Sequence, residues 1–155
     1  MKVWCGVDVG KKGGYAFITE DEQGKRASAY IWSDESFVED MKRMSEKAMR
    51  HNGNIVCAVE KVGAMPGNGS VSMFHFGKSA GYIEGVLTAL KIPYQLVPPQ
   101  KWKKVFSLSN DKSQSVETCK RLFPNVDLRA TERCRTDSDG KAESLLLAEY
   151  ARRCL

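Results

Sequence analysis

The sequence predicts a single α/β domain over residues 1–155. Three observations carry this prediction. Short runs of β-branched and aromatic residues, separated by turn residues, fill the first third of the chain. Two further runs of this kind each follow a segment with helical periodicity, and the last third is helical with polar connections. The chain is long enough to bury a core, and its 42% hydrophobic content is typical of globular proteins.

The first three strands are predicted to pair in antiparallel fashion, because only short connections separate them. Strand one is predicted over Lys2–Val9, strand two over Gly14–Thr19 and strand three over Ala27–Trp32. The polar segment Glu20–Arg26 between the last two is predicted to be a hairpin loop.

A helix is predicted next, capped by Ser33 or Asp34. Its apolar positions recur at helical spacing and are Phe37, Val38, Met41, Met44, Ala48 and Met49. The strand Ile55–Val62 follows this helix and is therefore expected to run parallel to strand one. The segment Gly63–Gly69, with three glycines and a proline, is predicted to be a loop.

A second, longer helix is predicted over Ser70–Leu90. One apolar face comprises Met73, Phe76, Ala80, Ile83, Leu87 and Leu90. Gly77, Gly81 and Gly85 form another stripe, and each glycine costs about 1 kcal/mol of helix stability relative to alanine. The stripe indicates a neighbour that approaches the helix backbone closely, either the sheet or a second subunit.

The remaining segments complete the predicted sheet and add three helices. Ile92–Val97 is predicted to be the fifth strand, and the short helix Gln100–Phe106 carries Trp102 among several lysines. Asp111 is expected to cap the next helix. The polar, basic segment Asn125–Ser138 lacks periodicity and is expected to be mobile. The final helix is predicted to begin at about Asp139.

Composition excludes several classes of protein and favours an anionic partner. The net charge is +5, and the lysines cluster around Trp102. The five cysteines form no C-x-x-C motif, which argues against a zinc ribbon or a disulfide framework and suits a reducing cytoplasm. No apolar run approaches the length that crosses a membrane.

Four acidic residues lie at the ends of apolar segments, where a carboxylate is costly unless it is paired or binds a metal. They are Asp8, Glu60, Asp139 and Glu143. Placed together they would repel one another, and a divalent cation would remove that repulsion. Sites rich in carboxylate oxygens suit Mg²⁺ or Mn²⁺. The four acids therefore predict a metal site.

The choice between Asp139 and Asp137 as a ligand stays open. Asp139 and Glu143, at spacing four, share a helix face, whereas Asp137 lies six residues from Glu143 and ranks lower. Each acid also has an ordinary explanation on its own. Asp139 could interact with the helix dipole, and Glu60 could form a salt bridge with Lys61 or Lys101.

Several segments, in this order, resemble the RuvC-type Holliday junction resolvases of the RNase H-like superfamily, especially those encoded by phages. They are Gly6–Gly10 with the strand that follows, Val59–Val62 with the glycine-rich loop, Met73–Gly77, Asn110–Val116 and Asp139–Ala148. The resemblance covers nearly the whole chain. It departs from bacterial RuvC proteins at the last two acids, which are four rather than three residues apart and end in glutamate rather than aspartate.

The resemblance implies an RNase H-like five-stranded mixed sheet of order 32145, flanked by helices. It implies a homodimeric crossover junction endodeoxyribonuclease that cuts branched DNA such as a four-way junction. It also implies that Asp8, Glu60, Asp139 and Glu143 are catalytic and hold two Mg²⁺ ions, for which Mn²⁺ would substitute, with Asp8 contacting both. No small-molecule cofactor and no membrane partner are expected.

The residues expected to contact DNA lie in two regions. Lys112 matches the family's basic segment best, followed by Lys101 and Lys104. Met65 and Gly67 lie in the loop directly after Glu60 and are expected near the cut strand.

Two other functions compete with the nuclease. A noncatalytic module that binds branched nucleic acid would use the basic helices, but it would not need the four acids. A sugar-kinase or actin-like ATPase also opens with a strand that bears Asp-x-Gly, but it requires a second, duplicated domain, which the sequence does not contain.

Overall fold

A five-stranded mixed sheet organises the protein, for which a computed structural model describes residues 1–63, 67 and 69–155. The strands are β1 Lys2–Asp8, β2 Gly14–Asp21, β3 Gly24–Ile31, β4 Asn54–Glu60 and β5 Tyr94–Val97. Their order is β3-β2-β1-β4-β5. β1 pairs antiparallel with β2 and parallel with β4, and β5 is parallel to β4. The predicted order 32145 and the parallel course of β4 are confirmed.

Within the described residues, five helices flank the sheet, and side-chain caps mark where three of them begin. The helices are α1 Asp34–Arg50, α2 Ser70–Ala89, α3 Pro99–Val105, α4 Lys112–Leu122 and α5 Asp139–Cys154. Ser33, Asp111 and Ser138 each accept a hydrogen bond from a backbone N–H in the first turn of the helix that follows. The caps predicted at Ser33 and Asp111 are confirmed. None of the described helices is long and apolar enough to span a membrane.

The two faces of the sheet bury separate apolar clusters because successive strand residues point to opposite faces. On one face, Val3, Cys5 and Val7 pack against residues of α1 and α2. On the other, Ala16, Ile18 and Ala58 pack against α3, α4 and α5. Asp8 and Glu60 have the same parity as the residues of β1 and β4 that face α5, so both acids point to the α5 face.

Helix α5 lies directly on the middle of the sheet because β1 has a glycine beneath it. A Cβ atom added to Gly6 would lie 2.1 Å from the Ser144 carbonyl oxygen and 2.2 Å from the Ala148 amide nitrogen. Every residue of α5 from Gly140 to Ala151 is buried. This close approach brings the acidic first turns of α5 to the ends of β1 and β4.

The hairpin between β2 and β3 is tighter than the sequence predicted. The strands extend to Asp21 and Gly24, so only Glu22 and Gln23 form the turn. The Asp21 carboxylate accepts a hydrogen bond from the Gln23 amide and pairs with Arg26. Gly24 has φ +112°, which glycine adopts without a side-chain clash. The polar residues predicted to be a loop therefore continue the ladder at the exposed end of the hairpin.

Helix α2 presents its glycine stripe outward. Ile83 and Leu87 are buried against the sheet. A Cβ atom added to Gly77, Gly81 or Gly85 would meet no described atom of this chain within 4 Å. Packing of the stripe on the sheet, one of the two predicted explanations, is therefore wrong. The other explanation, a second subunit, stays a prediction.

The segment between α4 and α5 has no regular element but is anchored, contrary to the expectation of a mobile loop. Leu128 is buried, and its carbonyl accepts a hydrogen bond from the Ser138 amide. The Lys141 ammonium donates to the Arg129 carbonyl at 2.9 Å. Asp137 pairs with Lys120 across 2.5 Å. One buried apolar side chain and several polar contacts thus hold a segment whose composition is polar.

Candidate metal centre

Three carboxylates from distant parts of the sequence meet at one edge of the sheet. Asp8 ends β1, Glu60 ends β4, and Glu143 lies in the second turn of α5. One oxygen of each lies within 4.8 Å of an oxygen of both others. Parallel neighbours end at the same edge, which explains the approach of Asp8 to Glu60, and the contact of α5 with Gly6 brings Glu143 over them.

The fourth predicted acid, Asp139, lies one helical turn before Glu143 and lines the same cavity of about 1090 Å³. It does not belong to the group of three whose oxygens meet. Its charge nevertheless contributes to raising the pKa of Glu143. Asp137 lines the cavity too, but its carboxylate is paired with Lys120. The pairing of Asp137 favours Asp139 as the acid available to a cation.

Burial and mutual repulsion make the acids hard to ionise. Burial, followed by the charges of Glu60 and Glu143, raises the pKa of Asp8 well above its usual range. Burial is also the main cause that raises the pKa values of Glu60 and Glu143. Lys103 and Lys112 oppose these shifts without cancelling them. The negative charge of the cluster is thus undercompensated by the protein, and its donor set of carboxylate oxygens fits a divalent cation.

The raised pKa of Asp8 predicts how pH changes the stability of the metal-free protein. Above the ordinary carboxyl pKa of about 4, the folded protein keeps protons that the unfolded chain has released, so the free energy of unfolding falls as pH rises through this window. Asp8→Asn removes this contribution. In EDTA, the melting temperature of the wild type should therefore fall relative to that of Asp8→Asn between about pH 5 and about pH 8. A constant difference between the two proteins over this range would contradict the prediction.

The predicted basic residues are placed unequally around the cluster. Lys112, at the first turn of α4, lines the cavity with the acids. Lys104 lines a neighbouring cavity of about 530 Å³, and Lys101 lines neither of these two cavities. Gly67 is exposed with φ +89°, and Met65 lies outside the described residues.

Lys103 is a site residue that sequence reasoning missed. It lines both the cavity with the acids and the neighbouring basic cavity. Its charge lowers the pKa values of Asp8, Glu60 and Glu143. Three lysines surround Trp102 in the sequence. Which of them faces the acids depends on the rotation of α3 about its axis. Had Trp102 been assigned to the core, this rotation could have been predicted from the sequence.

Trp102 is the second residue of the site that the sequence did not predict. Its side chain is fully buried, and its indole Nε1–H donates a hydrogen bond to Oε2 of Glu60 at 2.9 Å. Among the described residues, Glu60 forms no ion pair within 4.0 Å, so the alternative explanation of Glu60 as a salt-bridge partner of Lys61 or Lys101 is wrong. Glu143 has a comparable but longer contact, at 3.5 Å, from the Ser115 hydroxyl to its Oε1.

A further cavity of about 780 Å³ adjoins the cavity with the acids, and Trp32 and Phe76 line both. Lys11 and Lys78 supply positive charge there, and His75 lines this cavity rather than the one with the acids. Basic cavities therefore flank the acidic cluster on two sides.

Comparison with known proteins shows a likeness in structure without one in sequence. No protein-family model matches the chain, and no curated protein is significantly similar to it. RuvC of Thermus thermophilus, solved with a Holliday junction substrate, is 16% identical with a TM-score of 0.58, covering 98% of this chain and 96% of that one. The fowlpox virus Holliday junction resolvase is 19% identical with a TM-score of 0.55, covering 99% of both chains.

The yeast mitochondrial Holliday junction resolvase Ydc2 is 15% identical with a TM-score of 0.51, covering 96% of this chain and 77% of that one. At these identities the likeness establishes the fold. The chain thus has the RNase H-like fold of the RuvC-type resolvases, as the order and direction of its strands also show. The fold expected from the sequence is confirmed.

Proposed function

We propose that the protein is a structure-selective DNA endonuclease that cuts branched DNA, such as a four-way junction, by hydrolysing phosphodiester bonds. The observation that carries the proposal is the meeting of Asp8, Glu60 and Glu143 within 4.8 Å on this fold. Two proteins that share the fold, the Thermus and fowlpox enzymes, were solved with Holliday junction DNA. An acidic cluster that can hold a metal ion and is flanked by lysines suits a substrate that is itself a chain of phosphates.

In the proposed reaction the four acids would hold two Mg²⁺ ions, or Mn²⁺ in their place. Bound there, the cations would stabilise the negative charge that develops on the attacking and leaving oxygens. One oxygen of Asp8 lies within 4.8 Å of an oxygen of both Glu60 and Glu143, so the three could contact the same cation. Lys103 and Lys112 face the acids from α3 and α4, where they would bind and orient the phosphate.

The direct test compares a synthetic four-way junction with a linear duplex of the same sequence, with Mg²⁺ and with EDTA. We expect paired nicks in the junction with Mg²⁺ and none with EDTA. Junction binding without nicking in either buffer would indicate the noncatalytic binding module instead. Equal cutting of the linear duplex would indicate a general nuclease.

The different positions of Lys101, Lys103 and Lys112 predict different losses of cleavage when each is replaced by alanine. Lys103→Ala and Lys112→Ala should each reduce junction cleavage more than Lys101→Ala, because only the first two line the cavity with the acids. Each should also lower the steepness of the log–log dependence of affinity on salt by about 1. Fluorescence anisotropy in a salt series measures this slope. An equal loss in Lys101→Ala would show that charge near α3 acts without regard to position.

We further infer that the protein works as a homodimer, because paired nicks require two active sites. Support comes from α2, where Phe74 and Val71 are exposed to 69% and 68% beside the outward glycine stripe. Closed two-fold symmetry would bury this face against its copy and present two acidic clusters to the junction.

Gly81→Leu should convert this dimer into a monomer while the acidic cluster stays folded. Within one chain the new side chain has space, so a loss of assembly would report on the partner. Analytical ultracentrifugation at micromolar concentration measures the change, with Lys42→Leu on the exposed side of α1 as the control. A wild-type monomer, both free and bound to DNA, would defeat the inference.

A further inference from the structure

Trp102 connects the apolar core to the candidate metal centre. Its ring is fully buried in the cluster between the sheet and α3, α4 and α5. The indole nitrogen is the only polar atom of that side chain, and its N–H donates to Oε2 of Glu60 at 2.9 Å. The hydrogen bond therefore joins α3 to the end of β4.

The hydrogen bond restrains a carboxylate that its neighbours repel. Glu60 stands next to the charges of Asp8 and Glu143, and repulsion from them would favour rotation of its side chain away from the cluster. A donor held rigidly in a packed core fixes one oxygen of Glu60 and leaves the other free to serve as a ligand. Groups that hold metal ligands in this way set ligand orientation as well as affinity.

The same short helix also positions a cation. Lys103 follows Trp102 directly, and its ammonium lies 5.6 Å from the centre of the Trp102 ring. Burial of Trp102 thus fixes the rotation of α3 about its axis, and this rotation directs Lys103 into the cavity with the acids.

We propose that Trp102 is a positioning residue, whose indole N–H orients Glu60 to bind a divalent cation together with Asp8 and Glu143. The inference rests on the metal-dependent function proposed above. The competing explanation is structural: a large buried tryptophan places its N–H against the nearest acceptor, and the ring alone matters.

Titration of the metal-free protein with Mn²⁺, followed by calorimetry without DNA, separates the two explanations. Trp102→Phe keeps an aromatic ring in the core and removes the donor. Trp4→Phe is the matched control, because Trp4 packs against the same cluster but does not line the cavity with the acids. We expect Trp102→Phe to weaken Mn²⁺ binding by about 10- to 100-fold. Trp4→Phe should change it by less than about twofold.

Wild-type affinity in Trp102→Phe would overturn the proposal, and so would an equal loss in both variants. If Trp102→Phe does not fold, the same titration is made with β-(3-benzothienyl)alanine at position 102, which keeps the shape of indole and replaces the N–H by sulfur. A loss in that protein supports the proposal, and wild-type affinity overturns it.

Titration of Asp8→Asn beside Trp102→Phe distinguishes failure of the positioning role from failure of the proposed function. Mn²⁺ binding that Asp8→Asn abolishes but Trp102→Phe leaves intact would remove only the role of Trp102. If Asp8→Asn binds Mn²⁺ as tightly as the wild type does, both the metal centre and the positioning role are overturned.

Discussion

Asp8→Asn is expected to reduce cleavage of a four-way junction by at least about 10³-fold and to leave junction affinity within about twofold. Electrostatic stabilisation by bound metal contributes several kcal/mol, and each 1.36 kcal/mol corresponds to a factor of ten in rate. An oxygen of Asp8 lies within 4.8 Å of both other carboxylates, so loss of its charge disturbs the environment of Glu60 and Glu143 together. The lysines that would bind phosphate are untouched. Single-turnover nicking and anisotropy measure the two quantities.

Asp21→Asn is the matched control, because Asp21 lies at the opposite end of the sheet, in the β2–β3 hairpin. It should cleave at the wild-type rate. Glu60→Gln and Glu143→Gln should behave as Asp8→Asn does, and wild-type turnover by any two of the three would remove the proposed centre. An inactive Asp137→Asn beside an active Asp139→Asn would reverse the choice between those two acids.

Gly6→Ala should destabilise the protein by at least about 3 kcal/mol, out of a typical total of about 5–15 kcal/mol. The added methyl group would lie about 2 Å from backbone atoms of Ser144 and Ala148. Backbone inside a buried helix cannot move aside as a flexible side chain can. Relief of the clash therefore requires α5 to lift from the sheet, which exposes core and withdraws Glu143 from Asp8. Urea denaturation measures the change in the free energy of unfolding.

Gly69→Ala is the control for Gly6→Ala. Gly69 caps α2 with φ −62°, and no described atom lies within 4 Å of an added Cβ. The loss there should be at most about 1 kcal/mol, because glycine is a better N-cap than alanine. Similar losses at both positions would show that α5 tolerates displacement and that its closeness to β1 is not a constraint.

The acids were predictable from sequence because each violates a simple expectation. Asp8 and Glu60 end apolar strands, and Glu143 lies just before the apolar run Leu145–Ala148, so their placement needs a reason. The strand order was expected from the family resemblance. The predicted bounds of α2 and α3 lie within one residue of those in the structure.

Trp102 and Lys103 were not predicted because their roles depend on rotation of a single short helix. α3 has seven residues, too few for periodicity to define a face. A tryptophan among lysines is typical of a surface that binds nucleic acid, whereas here packing drives the ring into the core. Similarly, the anchoring of the segment before α5 depends on contacts of Leu128 and Arg129 that no local pattern encodes.

The separation of the three acids along the chain has a consequence for folding kinetics. Asp8 and Glu143 belong to the first strand and to α5, and their encounter requires almost the entire intervening chain to be in place. Contacts of such high sequence separation form slowly, because the entropy of closing a long loop must first be overcome. A nascent chain that has completed the β1–β4 pairing would hold Asp8 and Glu60 without the third carboxylate. Any nuclease activity should therefore appear together with the last cooperative step of folding, so that incomplete chains do not nick DNA.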